Sequence, residues 1–201
     1  MSGPADRPPV GVLDAVCCVH FCGANKHSIL LEILNLLDLR ILIPAEVSDE
    51  VVGKDSKFPG LALRWKKLIA SNRVTILPRL LLDDPAQSSV VSRVAALRSS
   101  PATTALRTRK DLGEFVVIAH AADMKARGRT VYVLLDDGAA QRTATAECLD
   151  VIDMQQLLTF GHRQGIDALA TKANLKAVYD ALRRYGESLP PWNASRVKAE
   201  L

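Results

Sequence analysis

Aromatic residues are scarce in this sequence. They fill 4% of its 201 positions, and none interleaves with a basic cluster. That excludes base stacking on an aromatic platform as a main recognition device. No apolar run approaches the ~18 residues of a membrane-spanning helix, and the opening MSGPADRPP has no apolar signal core. Excess charge is lacking too: 26 Lys and Arg stand against 22 Asp and Glu, a net +4 with a pI near 9.0. This permits a polyanionic partner without demanding one. Four cysteines, three bunched as Cys17, Cys18 and Cys22, make no disulfide framework in a chain this long and point to a reducing cytosol. His20 and His27 lie near them, but no second Cys/His cluster completes a zinc site. The cysteines therefore read as small buried hydrophobes. Neither a G-x-S-x-G nucleophile motif nor a Gly-rich phosphate loop occurs, and no internal repeat is present.

What is present is apolar content, 48% of the chain, enough for one domain with a sizeable core. Residues 1–8 are Pro-rich and polar, a leader expected to be flexible. Strands are expected at Val10–Val16 (central), Arg40–Ile43, Val74–Leu77, Val131–Leu135 and Val151–Ile152. Helices are expected at Lys26–Leu37, Ala45–Val52, Leu61–Ala70, Asp83–Leu97, from Ala139 to Ala146, Met154–Phe160 and Asn174–Tyr185. Ser99–Thr108 reads as a polar loop. The strands are short, apolar and unalternating, as parallel strands covered on both faces are. The sequence thus predicts an α/β protein, a three-layer α/β/α sandwich with a parallel sheet of about five strands.

The stretch Arg107–Asp123, RTRKDLGEFVVIAHAAD, carries cations and then two acids onto the start of a helix apolar almost all round. Asp111 is expected to be its N-cap and Glu114 the partner in a capping box. Two more carboxylates, Asp14 and Asp136, stand at or near the ends of apolar strands. Ligands of parallel sheets sit beyond the carboxyl ends of strands, where the strand order reverses. Were those two strands neighbours, the acids would meet there. Clustered carboxylates repel unless a cation neutralises them, and Mg²⁺ or Mn²⁺ held so can promote phosphodiester cleavage. Arg107, Arg109 and Lys110 would rim the pocket and attract a phosphate backbone. Read one at a time, Asp111 is a cap, Asp136–Asp137–Gly138 a turn, and Asp14 a hydrogen-bonded acid; Asp14 fits this least, because an acid inside an apolar strand needs a partner. His120 is expected in the helix as a hydrogen-bonded core or rim residue, and His162, in FGHRQG, in solvent. Ile29, Leu30 and Leu34 suit either the core or a docking groove.

Four blocks in series, LDAV (13–16), IPAEVSDEV (43–51), DLGEFVVIAHA (111–121) and VYVLLDDGAAQRTA (131–144), resemble a PIN-domain protein, the fold of VapC-type toxin ribonucleases. The likeness runs from about Val10 to Tyr185. It implies a PIN-like domain over 9–160 and a C-terminal helical extension over 161–201 packed on it. It further implies a Mg²⁺- or Mn²⁺-dependent endoribonuclease in the cytoplasm, acting on RNA, forming a homodimer and neutralised by a small antitoxin. Position by position, the metal-binding or catalytic acids implied are Asp14, Glu50, Glu114 and Asp136, with Asp137 competing for the last role and Asp111 in support. Many relatives carry Thr or Ser, then Asn or Ser, after the first aspartate. Ala15 and Val16 stand there instead, which leaves open a catalytically weak or inactive module that binds RNA or a protein partner.

Overall fold

The computed structural model describes residues 8–185 and 189–195, so most of the expected leader lies outside the described residues. Five parallel strands run through the middle: β1 (Val10–Leu13), β2 (Arg40–Pro44), β3 (Val74–Leu77), β4 (Val131–Leu134) and β5 (Asp150–Ile152), in the order β3-β2-β1-β4-β5. β1 is central and buried along its whole length. It pairs with β2 on one side (Val12 opposite Leu42) and with β4 on the other (Val12 opposite Val133). The chain winds outward from β1 through β2 to β3, then returns to β4 and β5. The order therefore reverses between β1 and β4, which brings the end of β1, with Asp14, beside the segment carrying Asp136.

Helices cover both faces: α1 (Ala15–Gly23), α2 (His27–Leu36), α3 (Ala45–Gly53), α4 (Leu61–Ile69), α5 (Ser88–Leu97), α6 (Ala102–Arg107), α7 (Leu112–Ala126), α8 (Gly138–Ala146), α9 (Met154–Arg163) and α10 (Lys172–Arg183). Single 3₁₀ turns occur at Pro85–Gln87 and Asp167–Leu169. This is the α/β sandwich with a parallel five-stranded sheet that the apolar runs predict. Ile29, Leu30, Ile33 and Leu34 of α2 are core residues, which removes them from any docking groove. Among the described residues, no helix is long and apolar enough to cross a membrane.

Three local expectations fail for physical reasons. The first strand stops at Leu13, and Asp14 turns the chain into α1, which holds the CCVHFC stretch. Every residue of α1 but Val16 is buried, so the segment carries no polar stripe and thus no helical period. Its cysteines are free and packed, and His20 Nδ1 lies 2.7 Å from the Leu182 carbonyl of α10, tying the C-terminal helix to the first. The expected loop at 99–108 contains α6, which with α5 and α7 buries a second small core of Val90, Val91, Val94, Ala105, Val116 and Ala119. Asp111 makes no cap: it takes a left-handed conformation (φ 54°) and its side chain bonds no backbone N–H of α7. The capping box belongs instead to α9, where Asp153 Oδ1 accepts from the Gln156 N–H at 2.8 Å and Gln156 returns the bond.

Candidate active site

Asp14 caps α1. Its Oδ2 accepts from the Val16 N–H at 3.2 Å, and the residue is only 1% exposed. That capping bond leaves the carboxylate at the carboxyl end of the central strand, in the crevice where strand order reverses. Burial, opposed by the Val16 and Ala15 N–H groups and reinforced by Glu50, lifts its pKa from 3.8 to about 6. A cation is the ordinary way to offset such a buried charge, and the ammonium of Lys54 lowers the pKa slightly.

Glu114 is the hub. The apolar faces of α7 pack against β1, β2 and α3, which fixes its first turn over the same strand ends. There Glu114 is raised from 4.5 to about 7, first by burial and then by four other acids: Asp14, Asp137, Asp111 and Glu50. Asp111, released from capping, is thus part of the acidic cluster. Asp14, Glu50, Asp111 and Glu114 line one cavity of about 250 Å³ with Val16, Arg109 and Lys110. Glu50 reaches it from α3 and pairs with Lys54 at 2.8 Å.

Gly113 makes this approach possible, a role the LGE pattern alone does not disclose. A Cβ there would lie 3.0 Å from Glu50 Oε2, 3.5 Å from Val47 and 3.8 Å from Asp14 Oδ1. The two carboxylates therefore flank a single point beside the α7 backbone, and any side chain would intrude between them.

The two aspartates after β4 diverge. Asp137 caps α8, its Oδ1 accepting from the N–H groups of Ala139 and Ala140 at 2.7 and 2.9 Å, and it is close enough to raise Glu114. Asp136 is buried with both oxygens engaged: Oδ1 accepts from the Met154 N–H at 3.0 Å, and Oδ2 accepts from the Cys17 thiol at 3.1 Å. It lines a separate cavity of about 240 Å³ with Asp153, Gln141 and Gln155. Burial lifts its pKa to about 6 against these two donors. Burial also pushes the Cys17 thiol well up, so it remains a proton donor. Cys17 is therefore more than packing, which nothing in CCVHFC reveals.

Of the expected cations, Arg109 and Lys110 rim the acidic cavity, while Arg107 and Arg109 line an adjoining groove of about 580 Å³ with Arg79 and Lys54. Lys54 was missed in the sequence, where its i,i+4 spacing from Glu50 was the available signal; Arg79, which pairs with Asp49, carries no sequence signal. His120 is neutral, its pKa lowered to about 4 by burial, but its buried Nε2 has no partner among the described residues, against expectation. His162 is half-buried rather than solvated, with Nδ1 2.6 Å from the Leu169 carbonyl.

The donors of the acidic cavity are all carboxylate oxygens, which suit a hard cation such as Mg²⁺ or Mn²⁺. Among the described residues, no three His, Cys, Asp or Glu side chains already stand close enough to hold an ion. Mg²⁺ commonly takes one or two carboxylates and completes its shell with water, so Asp14 and Glu114, with Glu50 and Asp137 within electrostatic reach, fit it.

No family model and no curated protein matches this chain. One solved structure, VapBC2 from Rickettsia felis bound to a DNA fragment from their promoter, contains a similar chain. The likeness covers 72% of this chain and 98% of that one, at 18% identity and a TM-score of 0.48.

Proposed function

We propose that this protein is a metal-dependent endoribonuclease of the PIN type. The observation that carries the reading is Glu114, surrounded by Asp14, Glu50, Asp111 and Asp137 in a cavity rimmed by Arg109 and Lys110. A structural role alone does not call for so much like charge at the carboxyl end of a parallel sheet. Asp14 and Glu114 would hold the ion, assisted by Glu50 and by Asp137 or Asp136. When bound, Mg²⁺ or Mn²⁺ would supply charge neutralisation at the phosphate and a coordinated water more acidic than bulk water.

The chain's own residues do the rest. Arg109 and Lys110 draw the phosphodiester to the rim and hold it against the acidic floor. Gly113 keeps the floor open. Glu114, whose pKa is raised to about 7 by burial and four neighbouring acids, would be held ionised once a cation offsets that like charge. The sequence resemblance extends the proposal to RNA as substrate, a homodimer, and a small antitoxin partner. A second reading, an RNA-binding module without catalysis, draws on Ala15 and Val16 and on Lys54, whose ammonium already partly neutralises the cluster.

Incubating the purified protein with single-stranded RNA and Mn²⁺ or Mg²⁺, then with EDTA, separates the two. The nuclease reading requires cleavage that EDTA stops and that Glu114→Gln reduces by at least about 100-fold. RNA bound but left intact in every condition favours the module. Growth arrest on expression, relieved by the product of an adjacent gene, would support the toxin–antitoxin setting.

A further inference from the structure

Beside the acidic cavity lies the larger groove of about 580 Å³, between α3 on one side and α6 with the start of α7 on the other. The two cavities share Glu50 and Arg109 as lining residues, so they adjoin. We infer that this groove is a subsite for one unpaired nucleotide next to the bond to be cut, its phosphate held by Arg79 and Arg107 and its base laid on Leu106 and Leu112. The inference rests on the nuclease reading for the position of the bond, though not for the existence of the subsite.

Three features favour that occupant. Arg107 and Arg109 have no acidic partner among the described residues, and they face the groove with their charge unspent. Arg79 pairs with Asp49 across the mouth, but both are exposed, at 54% and 62%. Such a pair is weak, so a phosphate can take the guanidinium from Asp49, and bidentate arginine–phosphate bonds favour the exchange. Leu106 and Leu112 are half-buried between the cations, and Gly53 presents no side chain to the groove. The volume falls within the ~300–1,000 Å³ range of small-ligand clefts. Leu106 and Leu112 give the groove an apolar patch, and four cations (Lys54, Arg79, Arg107 and Arg109) outnumber the three carboxylates that also line it (Glu46, Asp49 and Glu50), which suits a nucleotide whose phosphate and base are both free. In a duplex the bases are paired and stacked inward, so they cannot reach that patch.

The test uses the full chain in EDTA, where no cleavage occurs, and a fluorescent single-stranded RNA of about 12 nucleotides. Gly53→Leu fills the groove from α3, because a Cβ there meets nothing within 4 Å, and Arg79→Ala removes an exposed cation. Each variant is expected to weaken binding by about three- to tenfold while Mn²⁺ affinity stays at the wild-type value. The same RNA closed into a hairpin stem should bind about tenfold more weakly than the single strand, and one abasic position in a scan should stand out. Unchanged binding by both variants overturns the proposal, as does equal affinity for the stem or a flat abasic scan. If the wild type binds no Mn²⁺ yet the groove variants still lose RNA, the subsite stands and the nuclease reading falls.

Discussion

Replacing Asp14 by Asn should abolish cleavage and, in the absence of metal, make the protein more stable. The cause is the buried charge. Asp14 is 1% exposed, and its pKa rises from 3.8 to about 6 on folding. Every tenfold change in proton affinity is worth about 1.36 kcal/mol, so holding this carboxylate ionised at pH 7.5 costs the fold about 3 kcal/mol. Asparagine keeps an acceptor for the Val16 N–H, and the strengthening that charge gives that bond is already contained in the net rise to about 6. The gain is therefore about 3 kcal/mol, or roughly 6–12 °C in Tm for a chain of this size.

The pH dependence has a definite sign. Between the unfolded value near 4 and the folded value near 6, the folded protein binds more protons than the unfolded one, so wild-type stability falls as pH rises through that window. The advantage of Asp14→Asn should therefore be largest above pH 6 and shrink steadily toward pH 4. Thermal unfolding in EDTA at several pH values measures this, and adding Mn²⁺ should raise the Tm of the wild type alone by mass action. An Asp14→Asn protein less stable than wild type at pH 7.5, or an advantage unchanged between pH 4 and 7.5, would refute the account of Asp14 as a strained acid awaiting a cation.

Gly113→Ala should reduce Mn²⁺ affinity severalfold while lowering stability by less than about 1 kcal/mol; its Cβ, 3.0 Å from Glu50 Oε2, displaces the end of a flexible side chain, and calorimetric titration with denaturant unfolding checks both halves. Cys17→Ala should destabilise by about 1–3 kcal/mol, since it strips the donor from buried Asp136 Oδ2. Cys17→Ser, which restores an O–H donor, should recover much of that loss; equal stability of the two variants in urea would exclude the hydrogen bond as the cause. In metal-free buffer the wild type should also lose stability as pH rises from about 4 to 7, because Asp136 (about 6) and Glu114 (about 7) are raised as Asp14 is. A Tm that climbs across that range would contradict it.

The strand–helix alternation and the parallel sheet were legible in the linear pattern, because strands covered on both faces are short apolar runs and amphipathic helices announce their period. So were Asp14 and Glu114 as acids of interest, since one interrupts an apolar run and the other opens an apolar helix, whereas Glu50 was singled out only by the family resemblance. Other features depended on the folded chain. Helix α1 is buried on nearly all sides, and a segment without a wet face has no period to read. The left-handed turn at Asp111 sends that carboxylate into the acidic cavity instead of onto the helix end. Between the adjacent Asp136 and Asp137, which look alike in sequence, the difference comes from donors 119 and 18 residues away: the Cys17 thiol and the Met154 N–H engage the first, which still feels the charge of Asp14, and the second is among the acids that raise Glu114. A side chain's direction is set by backbone dihedrals and by distant partners brought near by the sheet order. Residue types alone do not encode either.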